Sequence, residues 1–205
     1  PLSEGAQVMT MSTYKSLGGP PGGLIVGIDE TLFERIDAIA YPGLTANFDA
    51  GKTAALALGL LDWIEHGRDF ARAMVATARA LAQALADEHG LPVFARERAA
   101  TSSHQFAIEA ARWGGGQAAA KKLEASRLLA CGIGLPIADV AGDANIDVQG
   151  LRLGTPEIVR LGFGPEHMGE LAALIASALD GRPEPERVTA LRQRVVVRPL
   201  RFVRP

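Results

Sequence analysis

Cysteine is nearly absent from this chain: Cys131 is the only one among 205 residues, which excludes an internal disulfide framework. Its setting in a helical pattern predicts a packed thiol rather than a reactive one. Long apolar runs are missing too. None reaches the roughly 20 residues that a membrane span needs, and the opening PLSEGAQV has neither the basic region nor the apolar core of a signal peptide. Neither sign of charge dominates. A formal net charge of −2 offers no overall pull toward nucleic acid or an anionic membrane surface. With 48% hydrophobic and 21% charged residues, the composition is that of a soluble globular chain able to bury a real core. A reducing cytoplasmic setting is expected, with no membrane and no nucleic-acid partner.

Lysine is the other scarcity. Of 21 basic residues only four are lysine, and the remaining 17 are arginine. Lys121 and Lys122 sit in GGGQAAAKKLEASRLLACG, whose apolar spacing is helical, so both belong on the wet face. Lys52 lies near the start of another helical run, beside Asp49. Lys15 is placed differently. It ends the strand-like run QVMTMSTY and precedes SLGGPPGG, a loop with little side-chain bulk. At a strand end walled by apolar neighbours, desolvation disfavours the ammonium form. The neutral amine is the nucleophile that forms imines with carbonyls.

Along the chain, residues 6–13 read as a strand, the Gly/Pro loop follows, and LIVGI is a second short strand. DETLFERIDAIA reads as a helix capped by Asp29, and YPGLTANFDAGK as a second loop. From Asp49 an alanine-rich helix, apolar nearly all round and so expected to be buried, runs to about Glu65 and breaks at His66-Gly67. An amphipathic helix follows and stops at Gly90. LPVFARE and SSHQFAIEAA read as strands, and LRLGTPEIVRLGF carries a strand into a loop. GPEHMGELAALIASALDG is a helix with Pro165 in its first turn. The seven arginines after Asp180 read as a solvated basic tail. A boundary at His66-Gly67 separates residues 1–66 from a compact α+β unit over 67–205.

GGPPGG is not a dinucleotide fingerprint, because Pro20-Pro21 break the G-x-G-x-x-G register. Nor is it a nucleotide P-loop, since no Gly-Lys-Ser/Thr opens a helix after it. The lysine comes first, an order that suits an imine-forming amine carried by a tight turn.

MTMSTYKSLGGPPGGLIVG resembles the segment around the cofactor lysine of serine hydroxymethyltransferases. AYPGLTANFDAGKTAALALG is similar to that family's aromatic-Pro-Gly loop and the helix after it, and GLRLGTPEIVRLGF to its Gly-Ile-Arg-x-Gly-Thr-Pro motif. The three stand in the family's order and span nearly the whole chain. The resemblance implies an α/β chain: the C-terminal part of a fold-type-I pyridoxal-phosphate (PLP) large domain over 1–66, then a small α+β domain over 67–205. It implies a Schiff base between Lys15 and pyridoxal 5'-phosphate, with Tyr14 beside the reaction and Ser12 at a family hydroxyl position near the cofactor. Ala46 and Asn47 take the place of a Gly-Gly pair that reaches the cofactor phosphate of a neighbouring subunit. Arg152 would grip the α-carboxylate of an amino-acid substrate, as a planar guanidinium can do bidentately. His104 matches a family histidine of the substrate and folate region.

The implied reaction is Cα–Cβ cleavage interconverting serine, or a related β-hydroxy amino acid, and glycine, with one-carbon transfer to tetrahydrofolate. An α-methylserine hydroxymethyltransferase and a folate-independent aldolase or transaldolase stay open. Tyr14 stands where the family has histidine, and Pro21 where it often has arginine. A non-catalytic remnant kept for dimerisation or regulation is the alternative of another class. Only 14 residues precede Lys15, whereas the family's pyridine partner and most of its phosphate cup lie upstream. The expectation is the C-terminal half of an enzyme whose partners are its own N-terminal half and a second copy, in a homodimer or dimer of dimers. Metal ligands are not expected.

Overall fold

The computed structural model describes residues 1–137 and 148–195, which divide into two compact units: Pro1–Gly67, and one that begins at Arg68.

In the first unit, β1 (Val8–Ser12) pairs antiparallel with β2 (Gly23–Gly27), in register from Val8 opposite Gly27 to Ser12 opposite Gly23. α1 (Glu30–Ala38) starts at Asp29, whose side chain accepts from the Leu32 amide at 2.9 Å and so satisfies one of the helix's orphan donors. A tight turn over Ile39–Leu44 contains a cis Tyr41–Pro42 bond. α2 (Ala50–Asp87) then runs for 38 residues through the end of this unit and into the next.

The continuity of α2 corrects the expected break at His66-Gly67. A glycine inside a helix costs about 1 kcal/mol relative to alanine, too little to end one whose other contacts favour it. Gly67 has a packing reason instead. A Cβ there would come within 2.4 Å of Trp63 Cε3, so the indole ring lies where a side chain would be. The expected burial of the all-round apolar stretch is also corrected. Leu58, Leu61 and Ile64 are exposed, Ile64 at 82%. Every buried hydrophobic side chain among the described residues lies at Met74 or beyond. The first unit therefore has apolar side chains and no described layer to bury them.

The second unit holds the core. A three-stranded antiparallel sheet has the order β3 (Gln105–Glu109), β5 (Gly150–Gly154), β4 (Cys131–Ile133). Leu151 and Leu153 of β5, with Phe106 and Ile108 of β3, are buried, whereas Arg152 between them is exposed, the period-two alternation of a sheet covered on one face. Leu81 and Leu85 of α2, Leu123 of α3 (Gly116–Glu124), and Leu174 and Leu179 of α5 (Met168–Leu179) complete that core.

Several expectations for this unit differ from the structure. LPVFARE makes only an isolated bridge from Val93 to Ile108, because Pro92 has no N–H for a ladder and Ala95 takes a left-handed φ of 55°. Cys131 is half-buried on strand β4 rather than on a helix; α3 stops at Glu124, and Arg127 at φ 62° turns the chain into β4. Past β5, a short helix α4 (Pro156–Arg160) opens on Pro156. Within the expected basic tail, Pro185–Arg194 forms α6, anchored by Leu191 at 2% exposure. The last ten residues of that tail lie outside the described residues.

Two glycine substitutions separate packing from propensity. At Gly116 a Cβ would sit 1.9 Å from the Gly150 carbonyl oxygen and 2.8 Å from Gly132 Cα, both backbone. Gly116→Ala should destabilise the chain by about 1–3 kcal/mol or more, seen as a lower urea midpoint. Gly59→Ala, which meets nothing within 4 Å, should raise the midpoint by up to about 1 kcal/mol of stability.

Candidate active site

The loop between β1 and β2 is organised by a residue that sequence reasoning passed over. Thr13 is 2% exposed. Its hydroxyl donates to the Pro20 carbonyl at 2.5 Å, its amide donates to Gly22 O at 3.0 Å, and its own carbonyl accepts from the Gly19 amide at 2.7 Å. A buried hydroxyl must find an acceptor, and this one finds it across the loop. The signal available in the sequence was its place, the last polar residue of a strand before a Gly/Pro run. From α2, the Trp63 indole N–H donates to Leu17 O at 2.8 Å, and Leu56 Cδ1 would lie 3.1 Å from a Cβ at Gly19.

This scaffold presents Lys15 and Tyr14 at the top of the turn, both exposed. Gly18 donates to the Lys15 carbonyl at 2.8 Å, and the Lys15 ammonium has no hydrogen-bond or ion-pair partner among the described residues. The apolar wall expected around it is not there, for the same reason that α2 is exposed: this unit has no described covering layer. Ser12 is half-buried at the end of β1, opposite Gly23. Ala46 and Asn47 are exposed in a stretch without regular structure, just beyond Thr45, whose amide and hydroxyl both donate to Ala40 O at 2.8 and 2.7 Å.

Arg152 and His104 belong to the second unit. Arg152 stands in the middle of β5, opposite Ala107 on β3 and Cys131 on β4. Its own strand carries glycine on either side of it on the same face, at 150 and 154. The guanidinium is therefore bordered by small residues and has no hydrogen-bond or ion-pair partner among the described residues. Thr155, fully buried, holds the end of the strand. Its hydroxyl donates to Met74 O at 2.8 Å and to His104 O at 3.1 Å, and its amide donates to His104 O at 3.0 Å. His104 is thus tied through its backbone to the strand that bears Arg152.

The structure places Ser12, Tyr14 and Lys15 on one hairpin, with Ala46-Asn47 in the same unit, and in the other unit Arg152 on β5 with His104 just before β3. The donor set suits PLP at its aldehyde end. An accessible, unpartnered primary amine on a loop of low side-chain bulk is what a carbonyl condensation requires. An exposed guanidinium without a described partner is what a carboxylate requires. Among the described residues no helix is long and apolar enough to cross a membrane.

No family model matches the chain. It is 64% identical over 203 residues to an α-methylserine aldolase of Variovorax paradoxus, covering 99% of this chain and 45% of that protein. A second α-methylserine aldolase of that organism is 70% identical over 181 residues, 88% of this chain and 40% of the relative. The serine hydroxymethyltransferase of Korarchaeum cryptofilum is 42% identical over 188 residues, 92% of this chain and 43% of the relative. Among solved structures, an L-threonine transaldolase from Pseudomonas fluorescens superposes with a TM-score of 0.82 at 26% identity, covering 98% of this chain and 45% of the other. The chain spans less than half the length of these relatives.

Removing the Thr13 hydroxyl at constant shape tests the scaffold. Thr13→Val strands the Pro20 carbonyl and should loosen the loop by about 1–3 kcal/mol. Limited proteolysis should then cut within residues 14–22 faster than in the unaltered chain, and Thr13→Ser should restore resistance.

Proposed function

We propose, because this chain belongs to the serine hydroxymethyltransferase family of α/β, fold-type-I PLP enzymes, that it carries the cofactor lysine and the carboxylate-binding arginine of an enzyme cleaving the Cα–Cβ bond of a β-hydroxy amino acid. α-Methylserine is the favoured substrate, and tetrahydrofolate is not required. The α-methylserine aldolases match at higher identity than the hydroxymethyltransferases, which supports this choice over the serine and tetrahydrofolate reaction. The observation that carries the reading is the unpartnered Lys15 amine at the top of the Gly/Pro hairpin.

Residues 1–66 would then be the C-terminal portion of the cofactor-binding large domain and 67–205 the small domain. The exposed Phe48, Leu58 and Ile64 supply the surface that an N-terminal half, and a second subunit of a homodimer, would cover. A cytoplasmic setting agrees with the lone cysteine.

Bound at Lys15, PLP supplies the electron sink for the carbanion that cleavage leaves at Cα. The chain's residues do the rest. Lys15 offers the amine that holds the aldehyde. Arg152 receives the substrate carboxylate in two parallel N–H···O bonds and thereby fixes orientation about Cα, which decides the bond that aligns for cleavage. Tyr14, beside Lys15, can donate or accept a hydrogen bond. Ser12 offers a hydroxyl at the hairpin's strand end. Asn47 would offer a side-chain amide donor to the cofactor phosphate of a neighbouring subunit, and His104 would serve the substrate side.

A non-catalytic subunit is the competing reading, and Lys15→Ala in the complete enzyme separates the two. The enzyme should lose the visible absorbance of bound cofactor together with turnover; unchanged turnover sinks the catalytic reading. Arg152→Lys should raise KM for the amino acid about ten- to a hundredfold, the size of a lost charged hydrogen bond. Assays on α-methylserine, serine and threonine, with and without tetrahydrofolate, should show folate-independent cleavage of α-methylserine.

A further inference from the structure

We infer that Trp63 is a positioning residue for Lys15, acting through the backbone of the loop that carries it; this rests on Lys15 being the cofactor lysine. The loop is short of means to hold itself. Gly18, Gly19 and Gly22 contribute no side chains, and glycine has the most backbone freedom to lose. Thr13, just past the end of β1, closes the loop, but it bonds to residues 19, 20 and 22, on the far limb. The near limb, Lys15 to Leu17, is tied to α2 by the Trp63 indole N–H on the Leu17 carbonyl, 2.8 Å away, across 46 positions of sequence.

Two features show that this tie is built into the helix. Indole nitrogen only donates, and a part-buried one needs an acceptor. The ring is also seated one turn along the helix on Gly67, where any Cβ would come within 2.4 Å of ring carbon Cε3 and within 3.3 Å of two others. Leu56, seven residues or about two turns before Trp63, abuts Gly19 of the same loop. Leu56, Trp63 and Gly67 thus form a ridge along α2 that matches the lysine loop, and Trp63 alone among them supplies a directional bond. The glycine that looks like a helix breaker is the seat for that bond.

The test uses hydrogen exchange and chemical trapping, neither of which needs turnover. In the complete protein, Trp63→Phe keeps a ring and removes the donor, and Gly67→Ala keeps the donor and pushes the ring from its seat. Both should speed amide exchange at Gly18 and Gly19 about fivefold, the size of one net hydrogen bond. Both should also lower, by a similar factor, the fraction of Lys15 captured by PLP and borohydride under limiting cofactor. Trp113→Phe, the only other tryptophan, whose ring lies under the Arg112 guanidinium, should change neither. Unchanged exchange in Trp63→Phe overturns the inference. So does faster exchange with unchanged trapping, since Trp63 would then hold the loop without placing the amine. Failure of the cofactor reading itself looks different: Lys15→Ala would keep its turnover while the exchange result stood.

Discussion

Two buried threonine hydroxyls brace the backbone beside this chain's candidate functional residues. Thr13 lies two positions before Lys15 and Thr155 three positions after Arg152, and each is at most 2% exposed. A hydroxyl in that environment is costly unless it donates. Each satisfies the requirement with backbone carbonyls from another part of the chain, Pro20 in one case, Met74 and His104 in the other. Because the acceptors are main-chain atoms, the bond fixes backbone path rather than side-chain choice. Lys15 and Arg152 are left free at the ends of these braces, both exposed and without partners among the described residues. Order is carried by the neighbours, and the two candidate side chains are left without a protein partner among the described residues.

The two units differ in how they bury apolar surface. From Met74 on, α2, the three-stranded sheet and the helices α3, α5 and α6 enclose a core in which Leu85, Ile108 and Leu151 have no exposure. Before Met74 no hydrophobic side chain among the described residues is buried, and the hairpin of β1 and β2 has only two strands. A two-stranded sheet is marginal without a packed face. Helix α2 belongs to both regimes: its later turns are core, while its earlier turns carry exposed leucines and the tryptophan that meets the lysine loop.

Under the proposed function this division would suit the chemistry. A carboxylate grip on a well-packed sheet would keep its direction, which matters where orientation about Cα selects the bond that breaks. Ala107 and Cys131 stand opposite Arg152 and glycines flank it along its strand, and the exposed guanidinium has no partner among the described residues.

Much was legible from residue order alone. Asp29 announced the start of α1, and three motifs in sequence pointed to the family, because each depends on residues close in the chain. The break foreseen at His66-Gly67, the strand foreseen at LPVFARE and the tail that became α6 were decided otherwise. Gly67 stays helical because a ring four residues earlier needs its missing Cβ, Pro92 cannot donate to a ladder, and Leu191 finds a buried site. The braces of Thr13 and Thr155 were equally invisible, since their acceptors lie 7 to 81 positions away. Local periodicity and motif chemistry determined the elements and the candidate residues. Long-range donors meeting main-chain acceptors, which no local pattern encodes, determined how those residues are held.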